Sequence, residues 1–244
     1  MKDYCKNIGI DNLSINNIAI TASTTHAFSM IFKLISKPGD ALIVPCPNYG
    51  LLDLIPERIG LNVIPIFLKQ ENNYFIDLKE FEELIINTNK KLKKENKVIG
   101  ILNLNLNNPL GIVLGNKQKN ELYGIGKICK KYGMYVIDDM VYRDLCYNQD
   151  NIALPIASYN SLFENTITVF SLSKAYEMAG IRDGFVVANN KVIKGINDMI
   201  FQTVDSISTL TTNAVTATYN IKYNNYRKKY INNFKKKEQK YMND

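Results

Sequence analysis

The chain alternates between two arrangements of hydrophobic residues. Short runs rich in valine, isoleucine and leucine are separated by longer segments in which apolar residues recur every three or four positions. The short runs are typical of β-strands and the longer segments of amphipathic helices, so their alternation predicts strands joined by crossover helices in a mostly parallel sheet. The predicted strands are residues 17–21, 41–45, 61–67, 98–104, 134–137, 166–170 and 184–188.

Helix boundaries are indicated by residues that interrupt helical structure. The predicted helix 25–36 is followed by Lys37-Pro38-Gly39-Asp40, and the predicted helix 116–132 by Gly133. Further helices are predicted at residues 78–91 and from about residue 191 onward. The strand 98–104 is apolar throughout, which indicates burial on both faces beneath covering helices. The pattern therefore predicts a three-layer α/β/α architecture with a mostly parallel central sheet.

The overall composition is that of an ordinary globular protein. Of the 244 residues, 46% are hydrophobic and 22% are charged, and no apolar run approaches the roughly 20 residues that span a bilayer. The first residues lead into polar sequence and not into the apolar centre of a secretory signal. We therefore expect one continuous α/β domain, a cytoplasmic location and no association with a membrane.

The cysteines and the histidine argue against metal and hydrolytic chemistry. Cys5, Cys46, Cys129 and Cys146 are far apart and form no C-x-x-C pair, which favours free buried thiols over a zinc site or a disulfide framework. His26 is the single histidine, so a site with several histidine ligands is excluded and a Ser-His-Asp triad would depend on this residue. We expect no metal and disfavour a hydrolase.

The net charge of +7 is concentrated towards the C-terminus. From residue 222 onward the chain carries eight lysines and arginines and two acidic residues. Apolar side chains recur in the same region at intervals of three and four, which predicts a long helix over residues 219–241 with the lysines on its solvated side. This interpretation is favoured over nucleic-acid binding. The aromatic positions are Tyr219, Tyr223, Tyr226, Tyr230 and Phe234.

Polar residues gather where several predicted strands end, and ligands of open α/β sheets bind at such ends. The groups are residues 23–25, 108–111, 139 with 142, and 171–174. In this order they resemble the aminotransferase class I/II family of pyridoxal-phosphate enzymes, known as fold type I, over most of the chain. The resemblance implies the large, cofactor-binding domain of that fold over residues 1–204. It also implies a helical segment over residues 205–244 that leads towards a small C-terminal domain absent from this sequence.

The most specific part of the resemblance is the segment 171–185, SLSKAYEMAGIRDGF. It is similar to the family's S-x-S-K followed by G-x-R-x-G-aromatic, with one position shifted by a residue. The resemblance implies that Lys174 holds pyridoxal 5'-phosphate through a Schiff base and later shuttles a proton. It also implies that Arg182 binds the phosphate and that Ser171 and Ser173 supply hydroxyl groups. A lone loop lysine would be interpreted as a surface residue, but Arg182 at the expected spacing favours the cofactor role.

The sequence Asp-Met-Val-Tyr at residues 139–142 is similar to the family's D-x-x-Y. The resemblance implies that Asp139 pairs with the pyridine nitrogen of the cofactor and keeps it protonated. Tyr142 and Asn108 correspond to residues that hydrogen-bond the cofactor's phenolic oxygen, Asn108 in a loop similar to N-P-T-G with Leu110 in place of threonine. The spacing to Tyr142 favours Asp139 over Asp138, which is interpreted as a solvated or helix-capping carboxylate.

Residues 21–27, TASTTHA, lie where the family has T-x-G-A-x-x-A, a turn that opens a helix whose amino end receives the phosphate. Ser23, Thr24 and Thr25 are therefore candidate phosphate contacts. Ser23 replaces a glycine of the family pattern, and serine adopts a positive φ less readily than glycine. A plain helix N-cap at Thr24 is the alternative, and His26 is interpreted as a capping or packing residue.

The resemblance implies a pyridoxal-phosphate-dependent aminotransferase that moves an amino group between an amino acid and a 2-oxo acid and forms a homodimer. Tyr49 corresponds to the aromatic residue that stacks on the pyridine ring, although it equally suits a core position. Cofactor residues do not specify which substrate bond breaks, so β-lyase or cyclase chemistry stays open. Because the family's small domain and its carboxylate-binding arginine are missing from this sequence, a truncated protein that binds the cofactor without turnover also stays open. Arg227 is no obvious replacement for that arginine.

Overall fold

The secondary structure alternates between strands and helices, as the hydrophobic pattern predicts. The computed structural model describes residues 1–148, 151–219, 229–233 and 236–237. The strands are β1 (Ile18–Thr21), β2 (Ala41–Cys46), β3 (Asn62–Phe67), β4 (Val98–Leu104), β5 (Tyr135–Asp139), β6 (Thr166–Phe170) and β7 (Gly184–Val187). The helices are α1 (Lys2–Asn7), α2 (Thr24–Ile35), α3 (Leu51–Arg58), α4 (Leu78–Lys91), α5 (Lys119–Lys131), α6 (Asn190–Val204) and α7 (Thr209–Thr218).

The strands form one sheet in the order β1-β7-β6-β5-β4-β2-β3. The strands from β6 across to β3 run parallel to one another, whereas β7 runs antiparallel to both of its neighbours, β1 and β6. The prediction of a mostly parallel sheet is confirmed. The antiparallel β7 follows directly from a loop after β6, without a crossover helix, and this places the β6–β7 loop at the carboxyl end of β6.

Helices cover both faces of the sheet and produce the predicted three layers. On one face, α2, α3 and α6 pack on the sheet through side chains such as Phe32, Leu52 and Ile196. On the other face, α4 and α5 contribute Phe81 and Leu122. Every residue of β4 is buried, as expected for a strand in the middle of a covered sheet. Burial of both faces makes this part of the sheet a rigid base for the polar residues at its carboxyl edge.

Some element boundaries differ from the sequence prediction. The predicted helix 116–132 opens with a 3-10 turn at Asn116–Gln118 before α5 begins, and β5 continues through both Asp138 and Asp139. Helix α6 ends at Val204, and Asp205 has a left-handed φ of 61°, so residues 205–208 separate α6 from α7. Most of the predicted helix 219–241, including Arg227, lies outside the described residues.

Two expectations from composition can be compared with the described residues. All four cysteines are free, and all except the half-buried Cys46 are buried. Within the described ranges, none of the helices has both the length and the apolar character needed to cross a membrane.

Candidate active site

A cavity of about 280 Å³ opens at the carboxyl edge of the sheet. Its walls come from the start of α2, the loop that leads into α3, the ends of β4 and β5, and the loops on either side of residue 180. Nine of the eleven predicted site residues line it, and they come from four separate stretches of the chain. These nine are Ser23, Thr24, Thr25, Tyr49, Asp139, Tyr142, Ser173, Lys174 and Arg182.

The remaining two predicted residues, Asn108 and Ser171, are not among the lining residues. Asn108 is connected to the cavity through Tyr142, because its Nδ2 donates a hydrogen bond to the Tyr142 hydroxyl at 3.0 Å. Ser171 is buried, and its Oγ bonds the backbone carbonyl of Asp183 at 3.0 Å. Ser171 therefore holds the loop in place, and its hydroxyl is not presented to the cavity.

The turn before α2 presents a helix amino end to the cavity. Ser23 is the N-cap, because its Oγ accepts a hydrogen bond from the His26 backbone N–H at 3.1 Å. The alternative cap at Thr24 is wrong, since Thr24 is the first residue of the helix. Ser23 has a φ of 166°, which is extended backbone, so this turn does not require the glycine of the family pattern. Unpaired N–H groups and the helix dipole at such an end favour an anion.

His26 helps to hold the same turn. Its Nδ1 accepts a hydrogen bond from the Ala22 backbone N–H at 3.2 Å, which confirms its interpretation as a capping or packing residue. Burial lowers the pKa of this imidazole, and the neutral ring is the form that accepts a hydrogen bond at Nδ1.

Gly184 allows β7 to approach the turn before α2. A Cβ atom at this position would lie 2.7 Å from the Ser23 carbonyl carbon, 2.8 Å from Thr21 Oγ1 and 2.9 Å from the Thr24 backbone nitrogen. Two of those atoms belong to the backbone that faces the cavity. Close packing of this turn on β7 therefore explains why a glycine stands at position 184, two residues after Arg182.

The Lys174 loop is fastened to the start of β7 by Asp183. The carboxylate of Asp183 accepts a hydrogen bond from the Leu172 backbone N–H at 2.8 Å, and the Ser171 hydroxyl lies 3.3 Å from its second oxygen. Ser173 N–H in turn donates to Ser171 Oγ at 3.0 Å. Sequence reasoning missed Asp183, although an acidic residue directly before a buried apolar strand was a signal that could have identified it.

Lys174 and Arg182 are the two cationic side chains among the cavity-lining residues. Both residues are exposed to solvent at the mouth of the cavity, and Lys174 Nζ lies 5.9 Å from the centroid of the Tyr142 ring. Arg182 has a left-handed φ of 58°, and one guanidinium nitrogen donates to the Ala179 carbonyl at 2.9 Å. A non-glycine residue in this conformation is uncommon and recurs at ligand sites.

Asp138 and Asp139 end β5 but occupy different environments. Asp139 lines the cavity, and its Oδ1 accepts a hydrogen bond from the Val141 backbone N–H at 3.1 Å. Burial, together with the neighbouring charge of Asp138, raises the pKa of Asp139 to about 7. Asp138 is fully buried and accepts hydrogen bonds from Asn103 and Ile156. The interpretation of Asp138 as a solvated or helix-capping carboxylate is therefore wrong, because β5 carries it into the interior.

Tyr49 lies at the cavity and not in the core, since 45% of its surface is exposed. The loop that carries it is held by Asn48, whose Nδ2 donates to the Pro45 carbonyl at 3.1 Å and to the Asp53 carboxylate at 3.2 Å. Sequence reasoning also missed the apolar wall of the cavity, because its residues resemble ordinary core positions. This wall consists of Phe28, Leu51, Leu52, Ile55, Leu104 and Val141.

The arrangement fits the cofactor implied by the sequence resemblance. An anion-binding helix end and an arginine suit a phosphate group, and the buried carboxylate of Asp139 suits a protonated ring nitrogen. The Lys174 amine shares the same cavity, and the Tyr142 hydroxyl is oriented by Asn108. The residues present can therefore hold a phosphorylated aromatic aldehyde.

Most of the chain is similar in sequence to proteins of one enzyme family. The sequence model for aminotransferase class I and II matches residues 5–240. An aspartate aminotransferase from Pyrococcus horikoshii is 31% identical over 191 residues, which cover 78% of this chain and 45% of that protein. The 1-aminocyclopropane-1-carboxylate synthase 3 of Solanum lycopersicum is 29% identical over 187 residues, covering 73% and 38% of the two chains. The chain thus spans about half the length of the curated relatives it matches.

A similar fold is found among solved structures. A PLP-bound protein from Clostridium difficile 630 superposes with a TM-score of 0.83 at 20% sequence identity, covering 96% of this chain and 58% of that chain. This likeness concerns the arrangement of helices and strands, and it agrees with the three-layer architecture described above.

Proposed function

Because the chain belongs to the aminotransferase class I and II family, we propose that it serves to transfer an amino group between an amino acid and a 2-oxo acid, with pyridoxal 5'-phosphate held on Lys174. The observation that carries this proposal is the convergence of Lys174, Asp139 and Arg182 on one cavity. Asp139 ends β5, whereas Lys174 and Arg182 lie in the loop between β6 and β7. Together they supply the carboxylate, the amine and the guanidinium that the cofactor requires. Aspartate is the first amino donor to test, because the Pyrococcus horikoshii relative is named an aspartate aminotransferase.

The phosphate would bind between the start of α2 and the β6–β7 loop. Thr24 and Thr25 offer backbone N–H groups at the amino end of the helix and hydroxyl groups beside them. Arg182, from the loop between β6 and β7, offers a planar guanidinium to the same cavity, and this group matches phosphate geometry bidentately. Fixing the phosphate in this way would orient the ring towards the end of β5.

The ring would lie between Asp139 and the aromatic side chains of the cavity. Ionised Asp139 would accept a hydrogen bond from the ring nitrogen and hold the proton there, while Tyr49 would cover one face of the ring. Tyr142, oriented by Asn108 at 3.0 Å, would donate its hydroxyl to the phenolic oxygen. When bound, pyridoxal phosphate supplies an electron sink that stabilises negative charge at the substrate's α-carbon.

Lys174 would have two tasks in sequence. Its amine would hold the bound cofactor covalently, and as a free base it would carry a proton to and from the substrate's α-carbon. Its position beside the Tyr142 ring, 5.9 Å from the ring centroid, places the amine on the side of the cavity where Asn108 and Tyr142 meet.

The cofactor role is tested by absorption spectroscopy. Pyridoxal phosphate is titrated into the wild-type chain, the Lys174→Ala variant and a Lys94→Ala control, whose exposed lysine lies far from the cavity in the loop before β4. We expect a visible band in the wild type and the control that borohydride converts into a stable adduct, located on Lys174 by mass spectrometry. A band of equal strength in Lys174→Ala would contradict the assignment, as would its absence from the wild type.

The transfer reaction is tested separately. ¹⁵N-labelled aspartate and a 2-oxo acid are supplied together, and we expect labelled product amino acid that depends on Lys174. Release of pyruvate or ammonia without label transfer would favour a lyase or cyclase over the proposed reaction. Cofactor binding without any turnover would show that this chain binds pyridoxal phosphate but lacks transfer activity. A homodimer and a cytoplasmic location stay predictions, and analytical ultracentrifugation tests the first.

A further inference from the structure

A row of buried polar side chains crosses the sheet behind the cavity. Asn103 of β4 is in register with Asp138 of β5, which is in register with Thr168 of β6. All three are at most 2% exposed. Since residues in register point to the same face and successive residues of a strand alternate, this row lies on the face opposite to Asp139. The side chains of Asp138 and Asp139 therefore lie on opposite faces of β5.

Asp138 receives two hydrogen bonds, both from neutral donors. Asn103 Nδ2 donates to one carboxylate oxygen at 2.7 Å, and the Ile156 backbone N–H donates to the other at 2.8 Å. The Thr168 hydroxyl has no hydrogen-bond partner among the described residues, so it adds nothing to this pair. Burial raises the pKa of Asp138 to about 6, with the two donors opposing that rise. Because Asp138 accepts two hydrogen bonds and Asp139 accepts one, Asp138 is the carboxyl group of the two in which the charged form is better stabilised.

Asp139 faces the cavity with one hydrogen bond, from Val141. The titratable groups that face it across the cavity are Tyr49, Tyr142, Lys174 and Arg182. Within the described ranges, neither Asp138 nor Asp139 forms a salt bridge. Two adjacent buried carboxyl groups without a paired cation disfavour double ionisation.

We propose that Asp138 is a positioning residue, a fixed buried charge that makes occupation of the cavity by a cationic ring depend on Asp139 releasing its proton to solvent. This inference rests on the proposed function for the identity of the ring, which is that of pyridoxal phosphate. No covalent bond changes in this step: one proton leaves Asp139, and the resulting carboxylate accepts a hydrogen bond from the ring N–H. Asn103 and Ile156 act on Asp139 through Asp138.

The first test needs no cofactor. The Asp139 carboxyl is titrated by ¹³C NMR in the wild type, in Asp138→Asn, and in Asp40→Asn, which alters a buried aspartate at the opposite edge of the sheet, directly before β2. Asp138→Asn keeps both hydrogen bonds if the Asn103 amide rotates by about half a turn, because an amide offers one donor and one acceptor side. The variant is therefore expected to fold.

We expect Asp139 to titrate near pH 7 in the wild type and in Asp40→Asn, and about one pH unit lower in Asp138→Asn, because like charges within a protein interact on that scale. Asn103→Leu, which retains Asp138 but removes its side-chain donor, is expected to shift Asp139 in the same direction. A change in melting temperature without a change in the Asp139 titration would reduce Asp138 to a structural residue and overturn the proposal.

The second test adds pyridoxal phosphate. Affinity is measured by absorbance from pH 5 to 9, and proton release by calorimetry in two buffers of different ionisation enthalpy. We expect wild-type affinity to fall about tenfold for each pH unit below the Asp139 titration, and the midpoint to move down in Asp138→Asn by the NMR shift. Binding with an unshifted midpoint would overturn the inference alone. No binding by the wild type at any pH would overturn the proposed function and the coupling together.

Discussion

Replacement of Gly184 by alanine tests whether β7 shapes the turn before α2. The new Cβ would lie 2.7 Å from the Ser23 carbonyl carbon and 2.9 Å from the Thr24 nitrogen. Both contacts are to backbone atoms, so a side-chain rotation cannot relieve them. Either β7 or the turn must move, and overpacking of this kind costs about 1–3 kcal/mol in the free energy of unfolding.

Two quantities should change in the Gly184→Ala variant. For a chain of this size, 1 kcal/mol corresponds to a decrease in melting temperature of about 2–4 °C, so we expect a decrease of about 2–12 °C. Displacement of the turn would also weaken hydrogen bonds to a bound phosphate. Losing one such charge-assisted bond costs about 1.5–3 kcal/mol, which is a decrease of tenfold or more in affinity for pyridoxal phosphate.

The matched control is Gly180→Ala. Gly180 lies in the same β6–β7 loop, and a Cβ there would meet no atom within 4 Å. Thermal unfolding followed by circular dichroism and cofactor titration by absorbance compare the two variants with the wild type. If Gly184→Ala melts and binds pyridoxal phosphate as Gly180→Ala does, the close approach of β7 does not shape the site.

Three further changes test other parts of the structure. Tyr142→Phe removes the hydroxyl that accepts the Asn108 hydrogen bond, and we expect the affinity for pyridoxal phosphate to fall about 2–10-fold. Spectrophotometric titration measures this affinity, and an unchanged value would contradict the role of the hydroxyl. Phe81→Ala leaves a cavity at a fully buried position of α4, and it should lower the free energy of unfolding by about 3–5 kcal/mol. Urea unfolding measures this loss, and a loss below about 1 kcal/mol would contradict the packing of Phe81 in the core. Burial favours a higher pKa for Asp40, but hydrogen bonds from Lys37, Lys97 and Asn96 outweigh it and lower the pKa. The stabilisation from Asp40 is therefore present above its unfolded pKa and is lost as pH falls through the lower folded value, so Asp40→Asn should unfold with a shallower acid dependence below about pH 4. Equal slopes for wild type and variant would refute this.

Much of the fold was predictable because strands and helices leave different local signatures. The continuous apolar run of β4 and the alternation of strands with amphipathic helices identified a covered, mostly parallel sheet. The antiparallel direction of β7 was not predictable from its own four residues, which are as apolar as those of a parallel strand. Its direction depends on the route of the chain after β6 and on pairing with β1.

The candidate site was predictable to a similar extent. Spacing along the chain selected Asp139 over Asp138 and linked Arg182 to Lys174, because these relations lie within single loops and strand ends. Ser171 shows the limit of such reasoning, since its residue type suits a cofactor contact but its hydroxyl is used to hold the loop against Asp183. Which of two nearby hydroxyls faces a cavity is decided by packing.

The sequence by itself determined the order of strands and helices, the family, and the residue types that gather at the strand ends, because these follow from short local patterns and from their order along the chain. Only the tertiary structure decided that Asp138 is buried between Asn103 and Ile156, and that Gly184 is required by the turn at Ser23. These contacts join residues 18 to more than 160 positions apart. Burial and the ionisation that follows from it depend on which distant segments pack together, and local residue patterns do not contain that information.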